Sequence, residues 1–172
     1  MKNISSAWAT LACLAIHHDN LETAETALMA IKAVDKLQHI RAIRKMPQGE
    51  RKNAELTLYK RRAKEALSIL LQARPPLTFD AVEMCVQLFR WEEALTIAQR
   101  TSARRGISQK GHIEYELTDL VLWYRSQYLQ RLRRKEDIGT FKELFQQRGI
   151  IPGDQFEVME VALRDKFSPK KV

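Results

Sequence analysis

The segments LETAETALMA, AKEALSILLQ and WEEALTIAQR can be laid over one another so that Ala24, Ala66 and Ala94 coincide. Leu21, Ala63 and Trp91 then stand three residues earlier and Ala27, Ile69 and Ile97 three residues later. Positions three apart are neighbours on one face of a helix, and an alanine there leaves a shallow place where a second helix can come close. The separations, 42 and 28 residues, do not keep the strict period of about 34 of a tetratricopeptide array. They describe a degenerate helical-hairpin repeat instead. One hairpin cannot bury its apolar face alone, whereas stacked hairpins share a continuous core. Ala24, Ala27, Ala66 and Ala94 are therefore expected at the seams between repeats. Phe89 and Trp91, which flank a turn, are expected to staple the helices on either side of it.

The remainder of the chain is consistent with this. Gly and Pro contribute only 6 and 5 of 172 residues, and Asn-Gly or Gly-Gly hairpin signals are absent, which argues against an all-β fold. Start and stop signals predict a helix over about 5–16, a second opening at Asn20, and further helices over about 35–46, 50–59, 62–73, 78–90 and 91–102. Asn20 is placed to cap the second, because its side-chain oxygen can accept from an orphaned amide. A stripe of Ile113, Leu117, Leu120, Tyr124, Tyr128 and Leu132 predicts one long helix over 112–134. Two short helices follow at 137–147 and 154–167, the latter opened by Asp154 and Glu157 at capping-box spacing. The expected architecture is an all-α, tetratricopeptide-like helical-hairpin solenoid, right-handed in its stacking. Its repeats would fill 1–103 and a loop 104–111. The long helix and its two short companions would pack on the same solenoid over 112–168, before a frayed tail at 169–172.

Several function classes find no residues to serve them. Cys13 and Cys85 lie in apolar periodic runs without CxxC spacing, so they read as small hydrophobes in a reducing compartment. MKNISSAWATLACLAI resembles a signal peptide, but its basic region is Lys2 alone and Thr10 interrupts the apolar run, so it reads as a first amphipathic helix. No run reaches the roughly 18 apolar residues that a membrane span needs. His17, His18 and Asp19 form the nearest thing to a metal cluster. Adjacent helical residues diverge by about 100°, so surface or capping roles suit them better. RRGISQKG lacks P-loop spacing, and neither cysteine has a base nearby in sequence. No catalytic, cofactor-binding or metal residue is expected, and no cofactor.

The charge carries more information. Lys and Arg number 29 against 21 Asp and Glu, a net +8. The excess gathers at Arg41, Arg44, Lys45, Arg51 and Lys52, and again at Lys60, Arg61, Arg62 and Lys64. It recurs at Arg100, Arg104 and Arg105, and at Arg131, Arg133, Arg134 and Lys135. Such runs can meet acidic protein surfaces, phosphate backbones or simply water. Aromatic platforms are not interleaved with them, as single-strand readers require, and no recognition helix or finger appears. Nucleic acid or anionic lipid therefore stays as the alternative partner class. Trp123 points off the stripe that holds Tyr124. It is either shielded by the final helices or part of an interface. The ridge Lys60, Arg61, Arg62 and Lys64, the face around Trp123, and Arg131, Arg133 and Arg134 are the expected partner contacts.

One family likeness runs through these segments. LETAETALMAIKAVDKLQHIRAIRKMP, through Ala24, Glu25, Ala30, Ile31, Asp35, Lys36, Gln38, Ile40, Ile43 and Pro47, resembles the start of the C-terminal helical region of the intraflagellar transport protein 80 family. AVEMCVQLFRWEEALTIA is similar to that family's next hairpin at Ala81, Leu88, Phe89, Trp91, Ala94, Leu95 and Ala98. LVLWYRSQYL is similar at Leu122, Tyr124 and Arg125. In order and spacing these motifs cover residues 8–165. SARRGISQKG is longer than the family's loop, and the strands of the family's two N-terminal WD40 propellers have no counterpart. The resemblance implies the C-terminal helical part of a complex B subunit, a non-enzymatic scaffold for trains in the cytoplasm, cilium or flagellum and basal body. It implies other complex B subunits as partners, and leaves room for a homodimer.

Overall fold

The computed structural model describes residues 2–105 and 115–167. All regular structure among them is helical. The helices are α1 (Lys2–His17), α2 (Leu21–Ala30), α3 (Val34–Lys45), α4 (Glu50–Tyr59), α5 (Ala63–Gln72), α6 (Thr78–Gln87) and α7 (Trp91–Arg105). After the undescribed residues come α8 (Leu117–Leu132), α9 (Gly139–Arg148) and α10 (Phe156–Phe167), the last preceded by one 3-10 turn at Gly153–Gln155. The expected loop 104–111 lies outside the described residues except for Arg104 and Arg105, which end α7. The first residues of the expected long helix and the tail 169–172 lie outside them too. The Arg74–Pro75 peptide is cis.

A common turn without glycine ends α1, α2, α4, α6 and α8. Among the described residues Asp19, Lys32, Arg61, Phe89 and Arg133 are non-glycine residues with φ between 52° and 63°. In each case the left-handed residue donates its N–H to the carbonyl three back, and the next residue donates to the carbonyl five back. These bonds are 2.8–3.2 Å and 2.8–3.1 Å long, the paired bonds of a Schellman end. After Asp19, Lys32, Arg61 and Phe89 the next helix begins two residues later. Five residues after the left-handed position stand Ala24, Leu37, Ala66 and Ala94, each donating its N–H to the carbonyl four back at 2.9–3.0 Å. The turn thus sets the register of the aligned alanines. Ala24, Ala27, Ala66 and Ala94 are fully buried. Ala30 is exposed, so the small face of α2 stops at Ala27.

The chain is organised as two compact units, Met1–Leu70 and Leu71–Val172. In the first, α1 packs on α2, α2 on α3 and α3 on α4. Its core joins Ala12, Ala27, Leu28 and Ile40, with Trp8, Ile16, Leu21, Leu37 and Tyr59 against it. On α1 the small residues Ala12 and Ala15 face inward while Leu11 and Leu14 stay exposed. Cys13 is a free cysteine and exposed as well, since it lies off the Trp8–Ala12–Ala15–Ile16 face. Asn20 caps α2 by accepting from the Thr23 N–H at 3.0 Å.

In the second unit α6, α7 and α8 pack together, and α9 and α10 lie against α8. Phe79, Val82, Cys85, Ala94, Ala98, Leu117, Leu120, Val121, Leu122, Phe141, Met159 and Leu163 are buried. Burial pushes the Cys85 thiol up to about 11, so it stays protonated and inert. The capping box expected at Asp154 and Glu157 is replaced by the 3-10 turn. A capping box occurs instead at α8, where Glu116 and Asp119 exchange bonds with each other's backbone.

Candidate interaction site

Much of the positive charge is engaged within the fold. Arg41 Nε and Arg44 Nη1 donate to the two oxygens of Glu25 at 2.7 and 2.8 Å, tying α3 to α2. Those two hydrogen bonds hold the Glu25 carboxyl below its ordinary range. Lys52 is buried and donates to the Arg44 and Met46 carbonyls at 3.2 and 3.3 Å, closing the end of α3. Lys60 departs from its expected place on a contact ridge. Its ammonium donates to Asp19 Oδ1 at 2.6 Å and to the His17 carbonyl at 3.1 Å, where it braces the α1–α2 turn. Arg62 stands 3.5 Å from Glu65 in an exposed pair. Arg61 and Lys64 are exposed, with no ion pair among the described residues.

The second unit contains a groove of about 360 Å³ lined by Val86, Gln87, Phe89, Trp91, Trp123, Tyr124, Gln127, Tyr128, Arg131 and Phe156. Four residues singled out from the sequence, Phe89, Trp91, Trp123 and Arg131, meet here although they lie up to 42 positions apart. The α6–α7 turn presents Phe89 and starts α7 with Trp91. Both rings reach Tyr128 of α8, with centroids 5.2 and 5.4 Å away. Phe89 and Trp91 lie 6.0 Å apart, edge to face, so the expected staple is a ring cluster that also includes α8. Opposite them Phe156, the first residue of α10, stacks on Trp123 with centroids 3.5 Å apart. Trp123 is therefore half-buried, with one ring face covered by the last helix. Its Nε1 is buried without an acceptor among the described residues.

A buried ion pair supports this cluster from beneath. Arg125 Nε and Nη2 donate to Glu136 Oε2 and Oε1, both at 2.8 Å, and each side chain is only 7% exposed. The guanidinium carbon lies 5.5 Å from the Trp91 ring, 5.8 Å from Tyr128 and 5.4 Å from Phe141, within cation–π range. Glu136 also accepts from the Asp137 and Ile138 N–H groups at 3.1 Å. The Arg125 hydrogen bonds hold its carboxyl below the usual range, against the opposing effect of burial. At the other end of α8, Arg148 bridges Glu116 and Asp119 at 2.7 and 3.1 Å. Burial nevertheless pushes the Asp119 carboxyl up.

Sequence reading put Tyr124 and Tyr128 on the apolar stripe of the long helix and did not single out Gln127 or Phe156. Both tyrosines are half-buried and line the groove. The density of aromatics at 123, 124 and 128 was a usable signal. Their meeting with Phe89, Trp91 and Phe156 is a matter of long-range packing. Arg131, Arg133 and Arg134 are all exposed at the end of α8, and only Arg131 lines the groove. Among the described residues no group of three or more His, Cys, Asp and Glu side chains is placed to hold a metal ion. No helix among them is long and apolar enough to cross a membrane.

The profile of the family described as IFT80/172/WDR35/WDR19 TPR domain matches residues 7–160. Intraflagellar transport protein 80 homologs of Rattus norvegicus and Mus musculus are each 33% identical over 131 residues, 76% of this chain and 15% of the relative. The chain thus spans about 15% of the length of the curated relatives it matches. No solved structure gave a significant match.

Proposed function

This chain belongs to the IFT80/172/WDR35/WDR19 TPR domain family, and from that premise we propose that it is a non-enzymatic scaffold within intraflagellar transport complex B. The names of the rat and mouse relatives support this process for it. On this reading it presents helix faces to other complex B subunits in the cilium or flagellum and at the basal body, and so supports train assembly and cilium formation. The observation that carries the reading is the family match over 7–160, joined to an open aromatic groove braced by a buried ion pair. Ala24, Ala27, Ala66 and Ala94 serve as close-approach positions between helices. Arg61 and Lys64 supply a secondary basic contact, and a homodimer is a second mode of the same surface presentation.

The alternative of a nucleic-acid or anionic-lipid binder gains nothing from the comparisons. The test is size-exclusion chromatography of the full chain with purified complex B subunits. The expected result is a complex that persists in the presence of heparin. A complex lost to heparin, with affinity falling steeply between about 50 and 200 mM salt as counterion release demands, would favour the phosphate-binding alternative. Charge reversal at Arg61 and Lys64 that leaves every subunit contact intact would remove that ridge from the reading.

A further inference from the structure

We propose that the groove formed by the α6–α7 turn, α8 and the start of α10 holds a linear peptide segment of a partner protein, in which an apolar anchor side chain is accompanied by acidic residues. This rests on the scaffold reading above and specifies the chemistry of the partner at the aromatic groove.

Phe89 is the first support. It occupies a left-handed backbone position, φ 57°, that glycine adopts more readily. The other such positions hold Asp19, Lys32, Arg61 and Arg133, all polar. Phe89 is also 60% exposed. Neither the turn geometry nor core burial accounts for a phenyl ring there, but a ring held at the lip of a groove by Trp91 and Tyr128 is placed to cover an inserted side chain. The groove volume of about 360 Å³ is on the scale of pockets that enclose small ligands, and its walls are the aromatic types that serve as binding anchors.

The polar lining supplies the second support. Gln87 and Gln127 bring amide donors and acceptors suited to the peptide groups of a bound segment, and Arg131 is the one charged lining residue. Arg133, Arg134 and Lys135 follow it, all exposed. None of these four has an ion pair among the described residues, whereas Arg125 and Arg148 in the same unit are paired with Glu136 and with Glu116 and Asp119. The charge complementary to this rim must come from outside the groove. A second copy of the chain is a poor source, since each carries a net +8 and would bring like charge to the rim.

The test begins with selection of random linear peptides on the full chain, followed by fluorescence anisotropy with the enriched sequences. Enrichment of Asp or Glu together with Leu, Phe or Trp is expected. Phe89→Gly, which the turn accepts, and Arg131→Glu, at an exposed site, should each weaken binding about tenfold or more with unchanged helicity, the affinities being compared well below the melting point of each variant. The proposal is overturned by selection that enriches nothing, by binders without acidic residues, or by affinities indifferent to both variants. It is equally overturned if the variants disrupt only a dimer of the chain or only attachment to phosphatidylserine vesicles. Purified complex B subunits separate the two levels. If the wild type and both variants capture them equally, the groove assignment fails and the scaffold stands. If the wild type captures none while acidic peptides still bind at the groove, the scaffold reading fails and the groove stands.

Discussion

A side chain in left-handed backbone costs about 1 kcal/mol relative to glycine, part of which the stiffer unfolded chain returns. Lys32, exposed at the α2–α3 turn with φ 56°, should therefore become more stable by about 0.5–1 kcal/mol as Lys32→Gly, read as a higher urea midpoint with an unchanged slope. The buried alanines invite the opposite change. Ala94 is fully buried at the start of α7, and Ala94→Leu should destabilise by about 1–3 kcal/mol through overpacking, measured in the same titration. A neutral effect would show that no neighbouring helix lies close there. At this scale the sequence was legible where the side chain states its own need: Asn20 announces a cap, and Ala24, Ala66 and Ala94 announce small sites. The left-handed geometry of the turns was not legible, because Lys32, Arg61 and Phe89 are residues that seldom mark such an end.

Helix α8 shows how far a periodic pattern can be followed. The stripe expected along it runs Leu117, Leu120, Tyr124, Tyr128 and Leu132, and its last three steps are of four residues. At about 100° per residue, each such step advances the stripe by about 40°, so it rotates off the core. Leu117 and Leu120 are buried, the tyrosines are half-buried and Leu132 is exposed. Arg125, Ser126 and Leu129 hold the buried side farther along. Arg125 there links α8 to the segment that leads into α9. Removing one partner of a buried pair leaves an uncompensated charge, so Glu136→Ala should destabilise by about 3 kcal/mol, measured by denaturant titration. The pH dependence follows from the depressed Glu136 carboxyl. Its contribution is complete above the ordinary carboxylate range and fades as pH falls through the lower folded value. Acid titrations of the wild type and Glu136→Ala should converge as the wild type loses that contribution. Curves that stay parallel down to the acid limit would show that the pair is not charged in the folded protein.

At the scale of the molecule the chain divides into two compact units, and repeat folds distribute stability by neighbourhood. Hydrogen exchange should register Glu136→Ala as lost protection mainly in 71–172, while Lys32→Gly changes protection mainly in 1–70. Equal changes across both would indicate one cooperative unit. The sequence alone determined that the chain is helical, roughly where most of the helices start and stop, and to which family it belongs. Those properties are written in local terms: periodic apolar positions, caps, and a scarcity of glycine and proline. It could not determine which charges are free, since Lys60 reads like Lys64 until Asp19 is seen to lie 2.6 Å away. Nor could it assemble Phe89, Trp91, Trp123, Tyr128 and Phe156 into one groove. Such contacts join residues far apart along the chain, and only the packing of α6, α7, α8 and α10 brings them within reach.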